Sequence, residues 1–137
     1  MATPPRTAIA GTFFVTAITY NGRRLFQVDT NAQLLIATLQ HYRAEGLYKL
    51  YSFVVMPDHV HLLLTTDDLP KTMQHIKGGF SRRIESKLPV WQLGFTDHLV
   101  LDREHFESRR HYIHENPVRE RLVESAEKYP YSSAFRG

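Results

Sequence analysis

The sequence contains no cysteine, which removes thiolate zinc sites and cysteine nucleophiles together and leaves the redox compartment undetermined. Any metal must therefore be held by histidine, asparagine, glutamine or carboxylate side chains. There is no run of about 18 apolar residues, the length that reads as a membrane span, and Met1 to Arg6 is too polar and proline-rich to open a signal peptide. The expectation is a cytoplasmic protein with no membrane partner. Internal repeats and low-complexity stretches are also missing beyond a short N-terminal arm at residues 1–10, so residues 1–137 read as a single domain. No polybasic tail gathers the positive charge. A net charge of +3 and a pI near 9.3 fit a nucleic-acid partner, but also many small proteins that have none.

What is present is a globular composition, 42% hydrophobic and 12% aromatic against 23% charged, in a chain long enough to bury a core without staples. Thr12 to Tyr20 is rich in Phe, Val, Thr and Ile and closes on Asn21-Gly22, which predicts a strand and a turn. Thr30 to Ala44 carries Leu35, Leu39 and Tyr42 at helical spacing, with Thr30 as the expected N-cap and Gly46 just past the end. Leu47 to Met56 and Val60 to Thr66 are β-rich runs joined at Pro57-Asp58-His59, a hairpin. Met73, Ile76, Phe80 and Ile84 then form one stripe of a helix that starts near Pro70, with Lys71, His75 and Arg82 on its solvated side. Gly78-Gly79 within it costs about 1 kcal/mol per residue relative to Ala, so a kink or a close backbone approach is expected there. Gly94 to Leu101 reads as a fourth strand and Arg103 to Asn116 as a third helix. The order βαββαβ plus a C-terminal helix implies an α+β sandwich of ferredoxin-like type, an antiparallel sheet backed by two helices.

His59 and His61 stand two apart on a strand and so share a face, while Val60, Leu62 and Leu64 point to the other. Two neutral imidazoles rising from one side of a sheet can converge on an ion. Eight histidines in 137 residues would yield such a pair by chance about half the time, so spacing alone favours two partly exposed strand histidines. The third helix adds to this. At roughly 100° per residue, His105, Arg109, Tyr112 and Asn116 fall on one stripe. A cation, a phenol and an amide on one face suit phosphoryl transfer: Arg grips phosphate, Tyr is a possible nucleophile and Asn a neutral oxygen ligand. The plain reading makes Tyr112 an amphipathic core residue and Asn116-Pro117 the cap and first-turn proline of another short helix.

The strings VVMPDHVHLLL, VWQLGFTDHL, HYIHENPVRERLV and YPYSS, in this order and spacing, resemble the REP-associated tyrosine transposases and their single-tyrosine insertion-sequence relatives. The N-terminal TFFVTAITYNGRRLF is similar to that family's first strand and turn. The resemblance implies that His59-Val60-His61 is the family's histidine dyad, Tyr112 its nucleophile and Asn116 its amide ligand. It further implies a Mg²⁺ or Mn²⁺ ion, single-stranded DNA with an adjacent hairpin as partner, and a covalent 5′-phosphotyrosine formed while a strand is nicked and rejoined. Arg109, Lys77, Arg82 and Arg83 are candidate DNA contacts, and either a monomer or a homodimer is compatible. Two other readings remain: a non-catalytic single-strand-binding module of the same fold, and a metal-dependent phosphoesterase that activates water.

Overall fold

The alternation of period-2 and period-3.6 segments becomes four strands and three helices in the computed structural model, which describes residues 8–137. Of the expected N-terminal arm, residues 1–7 lie outside the described residues. Strand β1 (Gly11–Ile18) leads through two short 3₁₀ turns to helix α1 (Asp29–Ala44). The hairpin of β2 (Tyr48–Met56) and β3 (His59–Thr66) follows, then α2 (Leu69–Ile84), β4 (Thr96–Leu99) and α3 (Arg103–Arg119). The strands are antiparallel in the order β2-β3-β1-β4. This is the expected α+β sandwich of ferredoxin-like type.

Helices α1 and α2 cover one face. Leu35 and Leu39 from α1, and Met73, Ile76 and Phe80 from α2, enclose Val60, Leu62 and Leu64 in the main core. The opposite face of β2 and β3 has its own smaller core, built from Phe14, Val54, Met56, Leu63, Ile113 of α3 and Tyr129. Leu63 is therefore as fully buried as Leu62 and Leu64. A strand covered on both faces needs no polar alternation, which is why β3 reads as a nearly continuous apolar run broken by its histidines.

The YPYSS string lies along the outer edge of β2. Val55 N–H donates to Tyr131 O at 2.8 Å, Ser133 N–H to Phe53 O at 3.0 Å and the Tyr129 hydroxyl to Val55 O at 2.7 Å. These bonds occupy backbone groups that an edge strand otherwise leaves open.

Several boundaries differ from expectation. Helix α1 begins at Asp29 with Val28 in the capping position and no side-chain cap, so Thr30 is not the N-cap. The preceding 3₁₀ turn fixes the entry, with Asn31 Nδ2 donating to Leu25 O at 2.9 Å. The strand expected over Gly94 to Leu101 forms only from Thr96 to Leu99; Gly94 takes a positive φ of 79°. Helix α2 runs unbroken through Gly78-Gly79, so of the two expectations it is the close approach that holds. A Cβ on Gly79 would stand 2.7 Å from the Tyr42 hydroxyl and 2.8 Å from its ring, whereas one on Gly78 meets only the flexible end of Arg82, at 3.2 Å. Gly79→Ala should therefore lower the thermal midpoint despite its better helix propensity, because buried Tyr42 must move. Gly78→Ala should gain up to about 1 kcal/mol. A Gly79→Ala protein as stable as Gly78→Ala would refute the close approach.

Candidate active site

The β2–β3 turn delivers Asp58 and His59 to the start of β3, and the pleat returns His61 to the same side two residues later. Their rings stand 4.7 Å apart, centroid to centroid. Each imidazole is tied at Nδ1: His59 to Asp58 Oδ1 at 2.7 Å, His61 to Thr16 Oγ1 at 2.8 Å. A carboxylate can only accept, so His59 donates from Nδ1, and in the neutral ring that leaves the lone pair on Nε2. Thr16 can play the same part for His61, its register partner across β1 and β3. Burial, with the neighbouring His59 and the Arg119 charge adding to it, pushes His61 down to about 3. At pH 7 the ring is then neutral, the form in which an imidazole can offer a lone pair to a metal.

Helix α3 crosses this face, anchored by Ile113 in the smaller core. Tyr112 and Asn116, one turn apart, project toward the histidines. Tyr112 is 39% exposed, with its ring edge-on to His61 at 5.6 Å and to Phe14 at 5.7 Å. Asn116 is 4% exposed, and its Oδ1 is buried with no hydrogen-bond partner. An unpaired buried acceptor costs about 1–3 kcal/mol, so the site is built for a donor or cation that completes it. Asn116 does not cap another helix as the plain reading expected. Helix α3 continues past it through Pro117 to Arg119, with the proline forgoing the one N–H that would have bonded the Ile113 carbonyl.

His59, His61, Tyr112 and Asn116 line one cleft of about 540 Å³, together with Arg24 and Glu120. Among the described residues no three His, Cys, Asp or Glu side chains cluster to hold a metal. A divalent ion would instead take two Nε2 atoms and the orphaned Asn116 Oδ1, completed by substrate and water oxygens; with two imidazoles in the set, Mn²⁺ fits better than Mg²⁺, which prefers oxygen ligands throughout. Asp58 and Thr16 then act as the outer partners that orient each imidazole.

The other expected site residues are not brought to this cleft. His105 accepts from Leu101 N–H at the start of α3. Arg109 lies over the Phe14 ring at 4.8 Å, beside the cleft but not lining it. Lys77 and Arg82 border a larger cavity of about 950 Å³ along α2, on the opposite face of the sheet, and that cavity contains neither tyrosine nor a histidine pair. Lys77 Nζ is already used by the carbonyls of Gln92 and Gly94 at 3.0 and 2.6 Å, and Arg83 bonds Gly79 O.

One residue was missed. The Arg119 guanidinium stands 4.1 Å above the Tyr112 ring and donates from Nη2 to Tyr112 O at 2.8 Å. Its position seven residues after Tyr112, two helical turns on the same face, was the available signal, hidden by ending the helix at Asn116.

A family model described as "Transposase IS200 like" matches residues 13–116, a span that includes both histidines, Tyr112 and Asn116. The chain is similar to the REP-associated tyrosine transposase of Escherichia coli K12, with 26% identity across 92% of this chain and 78% of that protein. Its fold matches a solved REP-associated tyrosine transposase bound to a REP hairpin with a TM-score of 0.82, at 26% identity, over 97% of this chain and 82% of that one.

Proposed function

Because the chain belongs to the IS200-like transposase family, we propose that it nicks and rejoins single-stranded DNA beside a hairpin, with Tyr112 as the covalent nucleophile. The observation that carries this reading is the convergence of Tyr112, two imidazoles with free Nε2 atoms and the unsatisfied Asn116 Oδ1 on one cleft. A bound Mg²⁺ or Mn²⁺ would supply Lewis-acid polarisation of a non-bridging phosphate oxygen. Tyr112 Oη loses its proton and attacks phosphorus, the bond to the 3′ oxygen breaks, that oxygen takes a proton from solvent, and a 5′-phosphotyrosine and a free 3′-hydroxyl result. One phosphodiester replaces another, so a second strand can be joined without an external energy source.

A free phenol titrates near about 10, and its ionisation needs help at neutral pH. Arg119, over the ring, stabilises the negative charge that develops there. Glu120, exposed at the rim of the same cleft, is the candidate acceptor of the phenol proton. Tyr112 is exposed on a helix laid across a sheet, a placement that an unpaired strand can reach more readily than a stacked duplex. That a similar protein is bound to a REP hairpin supports a hairpin next to the cleavage point.

The test is incubation with a panel of single-stranded hairpin oligonucleotides and Mn²⁺, read on denaturing gels for a protein–DNA adduct. An adduct is expected with the hairpin strands and not with fully paired duplex, and binding should weaken steeply as salt rises. Metal-dependent cleavage leaving 5′-phosphate ends and no adduct would favour the water-using phosphoesterase; binding without cleavage would favour the non-catalytic module.

A further inference from the structure

Beside the cleft, Phe14 of β1 is the hub of a second group of side chains. His61 of β3 flanks its ring at 5.3 Å and His98 of β4 at 6.1 Å, both close to parallel, and Tyr112 meets it at 5.7 Å. Arg109 descends from α3 to place its guanidinium 4.8 Å from the same ring. Arg109 Nε is buried without a hydrogen-bond partner, and no carboxylate pairs with this arginine among the described residues. Arg109 as a whole is half-exposed, so its Nη groups, which make no hydrogen bond among the described residues, can meet an anion from solvent while the stem is held against Phe14.

The surroundings favour a nucleotide. Helix α3 lies over β2 and β3, while all four residues of β4 are exposed. On the histidine side of the open half, Phe14 pairs with His98 and Thr16 with Thr96. Thr16 also lines the cleft, so a polar and aromatic strip runs from the Tyr112 cleft across β1 to exposed His98.

We infer that Arg109, Phe14 and His98 form a subsite for the nucleotide adjoining the scissile phosphate, with Arg109 holding its phosphate and the His98 imidazole stacking on its base. This rests on the reading of the cleft as the site of strand transfer. Because Tyr112 and Arg109 meet the same phenylalanine ring, a strand that offers its phosphodiester to Tyr112 carries its neighbouring nucleotide past Arg109 and His98. Selectivity at that position comes from the base face that stacks, which every base possesses, and from the unpaired state that exposes it.

The subsite can be measured apart from the chemistry, in Tyr112→Phe protein with Mn²⁺ at pH 8, using a fluorescent DNA hairpin that carries short unpaired arms of randomised sequence. Adding Arg109→Gln should weaken binding about ten-fold and lower the slope of log affinity against log salt by about 0.7, one single-strand phosphate contact. Arg109→Lys should keep the slope. Adding His98→Ala should cost about ten-fold with the slope unchanged, and His98→Phe should restore it, as stacking requires. An unchanged slope in Arg109→Gln, or His98→Phe as weak as His98→Ala, overturns the subsite; a purely structural role for Arg109 would lower stability without moving the slope. If wild-type protein forms the adduct while the Arg109→Gln slope is unchanged, the subsite falls and strand transfer stands. A reduced slope with no adduct from wild-type protein does the reverse, and no binding at all overturns both.

Discussion

Tyr112→Phe is expected to bind hairpin DNA and metal as the wild type does and to form no adduct that survives denaturation. The substitution removes one oxygen and keeps the ring, and it is the ring that touches Phe14, His61 and Arg119. The Arg119 bond to residue 112 uses the backbone carbonyl, which phenylalanine also has. Tyr112 is 39% exposed, so losing its hydroxyl strands no buried partner, and stability should change by less than about 0.5 kcal/mol. Removing a nucleophile from an assembled site can cost up to about 10⁶ in rate, which puts adduct formation below detection. Persistent adduct in Tyr112→Phe would assign the attack to another residue. Persistent nicking without adduct would assign it to water.

Replacing both His59 and His61 by alanine is expected to lower cleavage by more than about 100-fold, beyond the range typical for loss of an outer-shell partner alone. Asp58→Asn, which leaves both imidazoles in place and weakens only the tie to His59 Nδ1, should fall within the 10- to 100-fold range in roughly the same measure of metal affinity. The double variant should still unfold cooperatively, since the main core lies on the other face of β3. A loss of about 1–2 kcal/mol is nevertheless expected, because His61 is only 7% exposed and stacks beside Phe14. Calorimetry with and without Mn²⁺ separates the two effects: wild-type protein should gain stability from the ion and the double variant should not. Equal stabilisation of both would place the ion elsewhere.

The histidine pair was legible in the sequence because period-2 geometry fixes its common face whatever the rest of the chain does. Tyr112 and Asn116 were legible for the matching reason on a helix. Reading Asn116-Pro117 as a new start was the error that concealed Arg119: local capping propensity pointed one way, and burial of Ile113 and Asn116 against the sheet carried the helix on for another turn. The α2 cations illustrate a different limit. Lys71 and Arg82 do lie on the solvated side of their helix, as periodicity requires, but periodicity within α2 carries no information about which face of the sheet the helix covers. That choice is made by Val60, Leu62 and Leu64, and it sends Lys77 and Arg82 away from the histidines. The YPYSS string had no local signature of its role, since its partners are the backbone atoms of a strand far back in the chain.

Those partners are 74 residues away for Tyr129 and 80 for Ser133, and the separation orders events during synthesis. Residues 11–84 hold β1, α1, β2, β3 and α2, enough to close most of the main core while the remainder of the chain is still being made. The smaller core cannot close until Tyr129 arrives. Entropy of loop closure delays such distant contacts further. A nascent chain thus holds three of its four strands and both histidines before α3 can dock Tyr112 over them, so the candidate site is assembled only after residue 129 has been made.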